Sequence, residues 1–175
     1  MPLDRDVCSP ADIRALFAYN PNTGVITRLA SKRTDTIGPV RPLTNGNGYL
    51  VVYAMGRLFR AHRIAWVLMT GEWPTHDIDH INRDRTDNRW VNLREATRGQ
   101  NLRNAGIKKS SGTGLKGVAA HGERFAAYIR LNGKKKHLGV FDTAEEAHQE
   151  YCRVSRQHFG EYASPATSNQ KEAAA

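Results

Sequence analysis

The residues best suited to chemistry in this 175-residue chain are Asp79 and His80, followed by Asn92-Leu93-Arg94 and by Thr97-Arg98-Gly99-Gln100-Asn101. The two carboxamides, Asn92 and Asn101, stand twelve and twenty-one positions after the histidine. A carboxylate beside an imidazole, with carboxamides following at these distances, would supply a general base, an oxygen-rich site for a divalent cation and a loop-fixing amide. The chemistry implied is metal-assisted hydrolysis of a phosphodiester. Each residue alone has a plainer use. An Asp-His pair serves at surfaces and caps, and Asn88, Asn92, Asn101 and Asn104 could each close a turn or cap a helix. The order and spacing together are what single them out.

His76-Asp77-x-x-His80 has the spacing of a zinc-protease helix with aspartate in place of glutamate, a motif that needs both imidazoles on one helical face. Pro74 and the polar-apolar alternation of residues 77–81 argue against a helix there, which leaves His76 at the rim. His62, in Ala61-His62-Arg63, reads either as part of the site or as a packed residue at a helix start, and Arg63 is a candidate phosphate clamp.

The elements that must position these side chains are short. Ser9-Pro10-Ala11-Asp12 opens a helix carrying Ile13, Leu16 and Phe17 at helical spacing, and the turn residues 20–24 are expected to stop it. Strand-like runs follow at 24–29, 49–53 and 58–60, with Met55-Gly56-Arg57 as a turn, so small antiparallel hairpins are expected. Residues around Ile64, Ala65 and Leu68 form a short apolar helix ended by Gly71. Residues 77–81 and 92–96 are expected to pair as strands. Thr97-x-x-Gln100 is a capping box that starts a helix at Arg98, running to about Gly106. Such a helix packed across the hairpin would turn Asp79, His80 and Asn101 toward one small volume.

Residues 106–114 are small and basic and read as a linker. Beyond it, three strands are expected at about 116–120, 124–131 and 135–141, with Asn132-Gly133 as a tight hairpin turn. Thr143-x-x-Glu146 is a second capping box, heading a helix that buries Ala147, Tyr151 and Val154. The fold class is α+β. The divisions expected are an N-terminal helix and hairpin region over 1–60, a nuclease core over 61–105, the linker, a second domain over 115–163 and a loose tail over 164–175.

Composition narrows the partner. There are 26 Lys and Arg against 17 Asp and Glu, a formal charge of +9, and residues 98–137 hold ten Lys or Arg with Glu123 as their one acid. A stripe of that kind favours a polyanion over an acidic partner. Cys8 and Cys152 belong to no C-x-x-C pair, so neither a disulfide framework nor a Cys-based zinc site is suggested. Asp4 and Asp6 stand where a secretory signal would be basic, and no apolar run approaches the ~20 residues that span a bilayer. A cytoplasmic protein of a bacterium or an infected host cell, without membrane contact, is the expectation.

Residues 62–104, with Asp79-His80-Ile81-Asn82, Asp87-Asn88-Arg89, Asn92-Leu93-Arg94 and Asn101, resemble the HNH nuclease superfamily, specifically its phage-type group. The resemblance implies a ββα metal finger in which His80 is the general base, Asn92 fixes the loop that orients the His80 ring, and Asp79 and Asn101 hold Mg²⁺ or Mn²⁺ against the scissile phosphate. Asn101 stands where the family name has histidine, and Asn104 is a second candidate for that ligand. Residues 115–162 resemble the AP2 DNA-binding domain, through Lys116-Gly117-Val118, Phe125 to Arg130, Leu138 to Thr143 and Glu145-Glu146-Ala147. That likeness implies a sheet laid in the major groove of double-stranded DNA. Alternation in the middle strand puts Phe125, Ala127, Ile129 and Leu131 on a core face, and Arg124, Tyr128 and Arg130 on a reading face. Lys116, Lys136 and His137 are expected to extend the reading face. Lys134 and Lys135 read equally as contacts or as a solvated turn.

Two resemblances on one chain imply a site-specific endonuclease of phage or homing type. The alternatives are an AP2-like DNA-binding protein with an inert HNH scaffold, and a nonspecific phage DNA-processing nuclease. One such site implies one strand cut per protomer, and the sequence leaves monomer and dimer open.

Overall fold

A computed structural model describes residues 8–30, 37–40, 43–105 and 112–163. The chain divides into two compact units, Met1–Arg98 and Gly99–Ala175. The larger part of the expected linker, 106–111, and the expected tail lie outside the described residues.

The first unit opens with α1 (Pro10–Leu16), whose capping box joins the Ser9 and Asp12 side chains reciprocally to each other's backbone. The helix ends earlier than its apolar spacing suggests. Phe17 is already extended, and β1 (Phe17–Tyr19) pairs antiparallel with β2 (Ile26–Arg28). The turn at 20–24 therefore closes a hairpin rather than stopping a helix. Its Asn20 Oδ1 accepts from the amides of Asn22 and Thr23, a local bond that asparagine makes readily. Strand β3 (Gly38–Pro39) extends this sheet on the β2 edge. A second sheet holds β4 (Leu43–Thr44), β5 (Leu50–Ala54) and β6 (Arg57–Arg60), and α2 (Ala61–Thr70) follows it directly.

Burial explains why these small pieces hold together. Ile13, Phe17, Val52, Phe59, Ile64 and Val67 meet in one core, each no more than 1% exposed. The Phe59 and Trp73 rings stack with centroids 6.1 Å apart, and the Trp73 indole donates to the Cys8 carbonyl at 2.8 Å. This core runs across the division expected at residues 60 and 61. A second cluster, Ala65, Ile78 and Leu93, joins the other side of α2 to the hairpin of β7 (Asp77–His80) and β8 (Leu93–Ala96). A 3₁₀ turn at Trp90–Asn92 leads into β8, and α3 (Arg98–Asn104) follows.

The second unit is a three-stranded antiparallel sheet of β9 (Val118–His121), β10 (Arg124–Leu131) and β11 (Lys134–Phe141), with β10 central, backed by α4 (Ala144–Phe159) and a 3₁₀ turn at Gly160–Tyr162. The capping box at Thr143 and Glu146 forms in both directions. Ile129, Tyr151, Cys152 and Val154 make the core. Asn132 and Gly133 both have positive φ, the tight turn that matches the twist of its strands. That turn sets the register: Leu131 pairs with Lys134, Arg130 with Lys135, Ile129 with Lys136 and Tyr128 with His137. Directly paired residues share a face. Lys135 and His137 therefore lie beside Arg130 and Tyr128, whereas Lys134 and Lys136 lie on the face of Leu131 and Ile129. The placing of Lys136 on the reading face is corrected on this ground.

Cys8 and Cys152 are buried free thiols. Among the described residues no helix is long and apolar enough to cross a membrane.

All three tryptophans, Trp66, Trp73 and Trp90, belong to the first unit, so their fluorescence reports on it alone. Phe59→Ala is expected to destabilise that unit by about 3–5 kcal/mol, through lost burial and the cavity left behind. Urea unfolding followed by tryptophan emission measures it, and an unchanged midpoint contradicts the core described.

Candidate active site around His80

Strand β7 delivers two adjacent side chains into two environments. Asp79 is cross-strand partner to Arg94, and its Oδ2 accepts from the Arg94 Nε at 3.0 Å and Nη2 at 2.8 Å. Both side chains are nearly buried, at 5% and 11% exposure. His80, the next residue, is buried among rings: the Tyr49 centroid is 5.9 Å away, and the His62 ring meets it edge to face at 5.0 Å.

A buried imidazole needs a partner for its N–H. Here Nε2–H donates to Asn88 Oδ1 at 3.0 Å, inside a shell where Asn88 is itself buried. Nδ1 is then the unprotonated nitrogen. Burial pushes the His80 pKa below its ordinary value, outweighing the Asn88 bond and the negative charges of Asp79, Asp84 and Asp87, all of which act the other way. The ring is thus neutral at neutral pH, the form a general base requires.

The loop between the two strands is fixed by asparagines. Asn92 Oδ1 accepts from the Asn82 amide at 2.9 Å while its Nδ2 donates to the Asp87 carbonyl at 2.7 Å, so one side chain spans the loop. Asp87 adds bonds from Asn82 Nδ2 and from Arg89.

Sequence reasoning gave no role to Asn88, nor to the N-terminal residues that hold it. The Tyr19 hydroxyl donates to the Asn88 carbonyl at 2.7 Å, and the Trp90 amide donates to the Pro21 carbonyl at 2.9 Å. Desolvation, with the Asp87 charge, raises the Tyr19 pKa to about 12, which keeps that hydroxyl a donor. Gly24 has φ +74 and lies so close that a Cβ there would stand 2.8 Å from the Asn88 carbonyl carbon and the Arg89 nitrogen. The β1–β2 turn is thereby pressed against the residue that holds His80. The one available signal was Asp87-Asn88-Arg89, within the HNH-like pattern.

His62 lies at the start of α2, 2% exposed, and its Nδ1 is the one buried side-chain polar atom without a hydrogen bond among the described residues. Burial above all, then the charges of a protonated His80, Arg60 and Arg63, pushes its pKa well below the usual value. Arg63 is half-buried, its guanidinium carbon 5.9 Å from the Trp73 ring centre. His76 sits at the rim, its amide donating to Glu95 Oε1 at 2.8 Å, and residues 77–80 are a strand, so the zinc-protease helix is absent.

Asn101 and Asn104 lie on α3 in the second unit, so a shared cation site with Asp79 rests on the sequence pattern. No cluster of three or more His, Cys, Asp or Glu able to hold a metal occurs among the described residues. Asp79 does fit an open site that hard cations complete with water and phosphate, as one carboxylate donor.

Of the expected reading residues, Arg130 donates from Nη1 to the Gly133 carbonyl at 2.8 Å, and the Tyr128 ring lies 5.1 Å from His137 and 3.6 Å from the Lys135 ammonium. Arg124 is ion-paired with Asp142 at 2.8 Å. Lys116 departs from its expected place: its ammonium donates to the carbonyls of Arg103 and Ala105 at the end of α3, which satisfies helix-terminal acceptors.

Asn88→Ala removes the acceptor for a buried N–H and is expected to cost the first unit about 1–3 kcal/mol in urea unfolding. His62 gives a pH signature. Its folded-state pKa lies below the unfolded value of 6.5, so its burial contributes fully above 6.5. As pH falls below 6.5 the unfolded chain takes the proton first, and stability declines toward the folded pKa. The urea midpoint is expected to drop between about pH 7 and about pH 5, and to drop less in His62→Leu; parallel curves contradict the assignment.

Residues 59–103 match the HNH endonuclease family model. A protein of Acanthamoeba polyphaga mimivirus described as an uncharacterized HNH endonuclease, L560, is 34% identical over 122 residues, which are 68% of this chain and 63% of that protein. The chain thus spans somewhat less than two thirds of that relative. Among solved structures, one titled for DNA binding and cleavage by the HNH homing endonuclease I-HmuI aligns over 82% of this chain and 84% of its own, at 16% identity and a TM-score of 0.40. The matched segment runs from β6 to the last turn of α3, and it contains His62, Asp79, His80, Asn88, Asn92 and Arg94.

Proposed function

We propose that this chain is a DNA endonuclease of the HNH type, hydrolysing a phosphodiester bond with His80 as general base and with a divalent cation as cofactor. The observation that supports it most is a buried, neutral His80 whose Nε2–H is taken by Asn88, within the segment that matches the HNH family model. In this reading Nδ1 of His80 takes a proton from the attacking water as its oxygen bonds to phosphorus and the bond to the 3′ oxygen breaks. The Nε2–H to Asn88 bond strengthens as the ring becomes cationic, and the nearby Asp79 charge favours the same state. Asp79 and Asn101 would hold the cation, which when bound stabilises negative charge on the phosphate and the leaving oxygen. Asn92 acts as a positioning residue through the loop.

The finer reading is a site-specific enzyme of phage or homing type acting on double-stranded DNA. It rests on the AP2-like pattern of the second unit, where Arg124, Tyr128, Arg130, Lys135 and His137 share one face of the sheet and offer donors to phosphates and guanine edges. A cutter and a reader on one chain raise the local concentration of the target.

One observation favours the rival reading, a DNA-binding protein with an inert scaffold: Asp79 is engaged by Arg94, as a purely structural carboxylate would be. Supercoiled DNA incubated with the protein and Mg²⁺, with and without chelator, separates the two. Cleavage that chelator abolishes supports the enzyme. His80→Ala is expected to abolish strand cleavage while leaving duplex affinity intact; joint loss of both counts against its role. Arg130→Ala is expected to weaken duplex binding by about 1–3 kcal/mol and to flatten sequence preference, and an unchanged binding profile rejects base reading by that side chain.

A further inference from the structure

We infer that Tyr49 seats two guanidinium groups, Arg60 and Arg85, as a binding site for the phosphates of the DNA strand next to the bond that is cut. The inference rests on the nuclease reading above and adds residues that it does not use. Tyr49 is half-buried just before β5, and its ring packs against both His62 and His80. On that same ring lie the guanidinium carbons of Arg60, at 5.0 Å from its centre, and Arg85, at 4.8 Å. The three residues come from the edge of β5, the end of β6 and the loop after β7. Convergence on one ring is therefore a product of the fold and not of sequence proximity.

Charge balance points to an anion. Both arginines are exposed, and among the described residues neither is ion-paired with a carboxylate. The carboxylates of the adjoining loop are taken by its own turns: Asp84 accepts from the amide and hydroxyl of Thr86, and Asp87 accepts from Arg89 and Asn82. Two like charges on one ring repel, and a bridging or neighbouring phosphate removes that penalty. Some exposed arginines elsewhere are ion-paired, Arg124 with Asp142 and Arg153 with Glu150, whereas among the described residues Arg60 and Arg85 are not.

Preorganisation points the same way. Arg85 is pinned twice, by the Tyr49 ring and by its Nη1 donating to the Asn47 carbonyl at 2.5 Å. Contact with an aromatic face holds a guanidinium without consuming its N–H donors, so Arg60 keeps its fork, and Arg85 its donors other than the Nη1–H bound to Asn47, for phosphate oxygens. Because the seat is itself in contact with the His80 ring, the phosphates reached are those at and beside the cut rather than distant ones.

The test uses the full chain with chelator present, so that the divalent ion is withheld while duplex binding is titrated over a series of salt concentrations. Arg60→Gln and Arg85→Gln are each expected to make the slope of log affinity against log salt shallower by about 0.9, and the double variant by about twice that. Both sites are exposed, so unfolding midpoints should not move. A double variant that keeps the parent slope overturns the inference. With Mg²⁺ restored and the cut position mapped, duplexes carrying one neutral methylphosphonate at successive positions give the second arm. Neutralising phosphates beside the cut is expected to weaken binding of the parent but not of the double variant, and equal sensitivity in both contradicts the placement. If the parent cuts no DNA, the nuclease reading fails, while the salt slopes still decide whether these arginines hold phosphates.

Discussion

The first unit is organised around a single requirement, that an imidazole buried from water be neutral and have its one N–H accepted. The bond from His80 Nε2 to Asn88 Oδ1 meets that requirement. Leaving such a donor unmet in a buried site costs about 1–3 kcal/mol, a large share of the stability of a small unit. Much of the surrounding architecture serves to keep Asn88 where it is. Asn92 ties the two ends of the loop, the Tyr19 hydroxyl grips the Asn88 carbonyl, and the turn containing Gly24 lies flush against the Asn88–Arg89 peptide. The N-terminal hairpin is thus a buttress of the site, built on the same core as α2.

Adjacent positions on β7 illustrate how a short strand divides labour. Alternation sends the Asp79 side chain toward its cross-strand partner Arg94 and the His80 side chain toward His62, Tyr49 and Asn88. A slip of one residue in the β7–β8 register would exchange the two environments, placing a carboxylate among rings and an imidazole against a guanidinium. The packing of Ile78 and Leu93 with Ala65 of α2 pins the register against that slip. Function in this reading therefore depends on an apolar contact that touches no reacting group.

Local chemistry was legible in the sequence, and long-range partnership was not. The capping boxes at Ser9 and Thr143, the Asn132-Gly133 turn, the end of α2 at Gly71 and the strand pairing of residues 77–80 with 93–96 all follow from short-range rules, and all form. The role expected of Asn92 came from the HNH-like pattern and not from these short-range rules, although both partners of its side chain lie within ten residues. By contrast, Tyr19 meets Asn88 across 69 residues, and nothing in either local sequence announces the other. The end of α1 was misjudged because Phe17 satisfies helical spacing while its burial is claimed by pairing with β2. Lys136 was put on the wrong face because a run of three lysines carries no parity, and only the pairing set by the turn assigns one.

The geometry holds His80 as a neutral imidazole with its proton on Nε2. Nitrogen-15 NMR of the imidazole nitrogens in the full chain reads this directly, because the protonated and unprotonated nitrogens of a neutral ring have well-separated shifts. The Nε2–H tautomer of His80 is expected near neutral pH in the wild-type chain, with loss of that preference in Asn88→Ala. A proton on Nδ1, or a doubly protonated ring at neutral pH, contradicts this assignment.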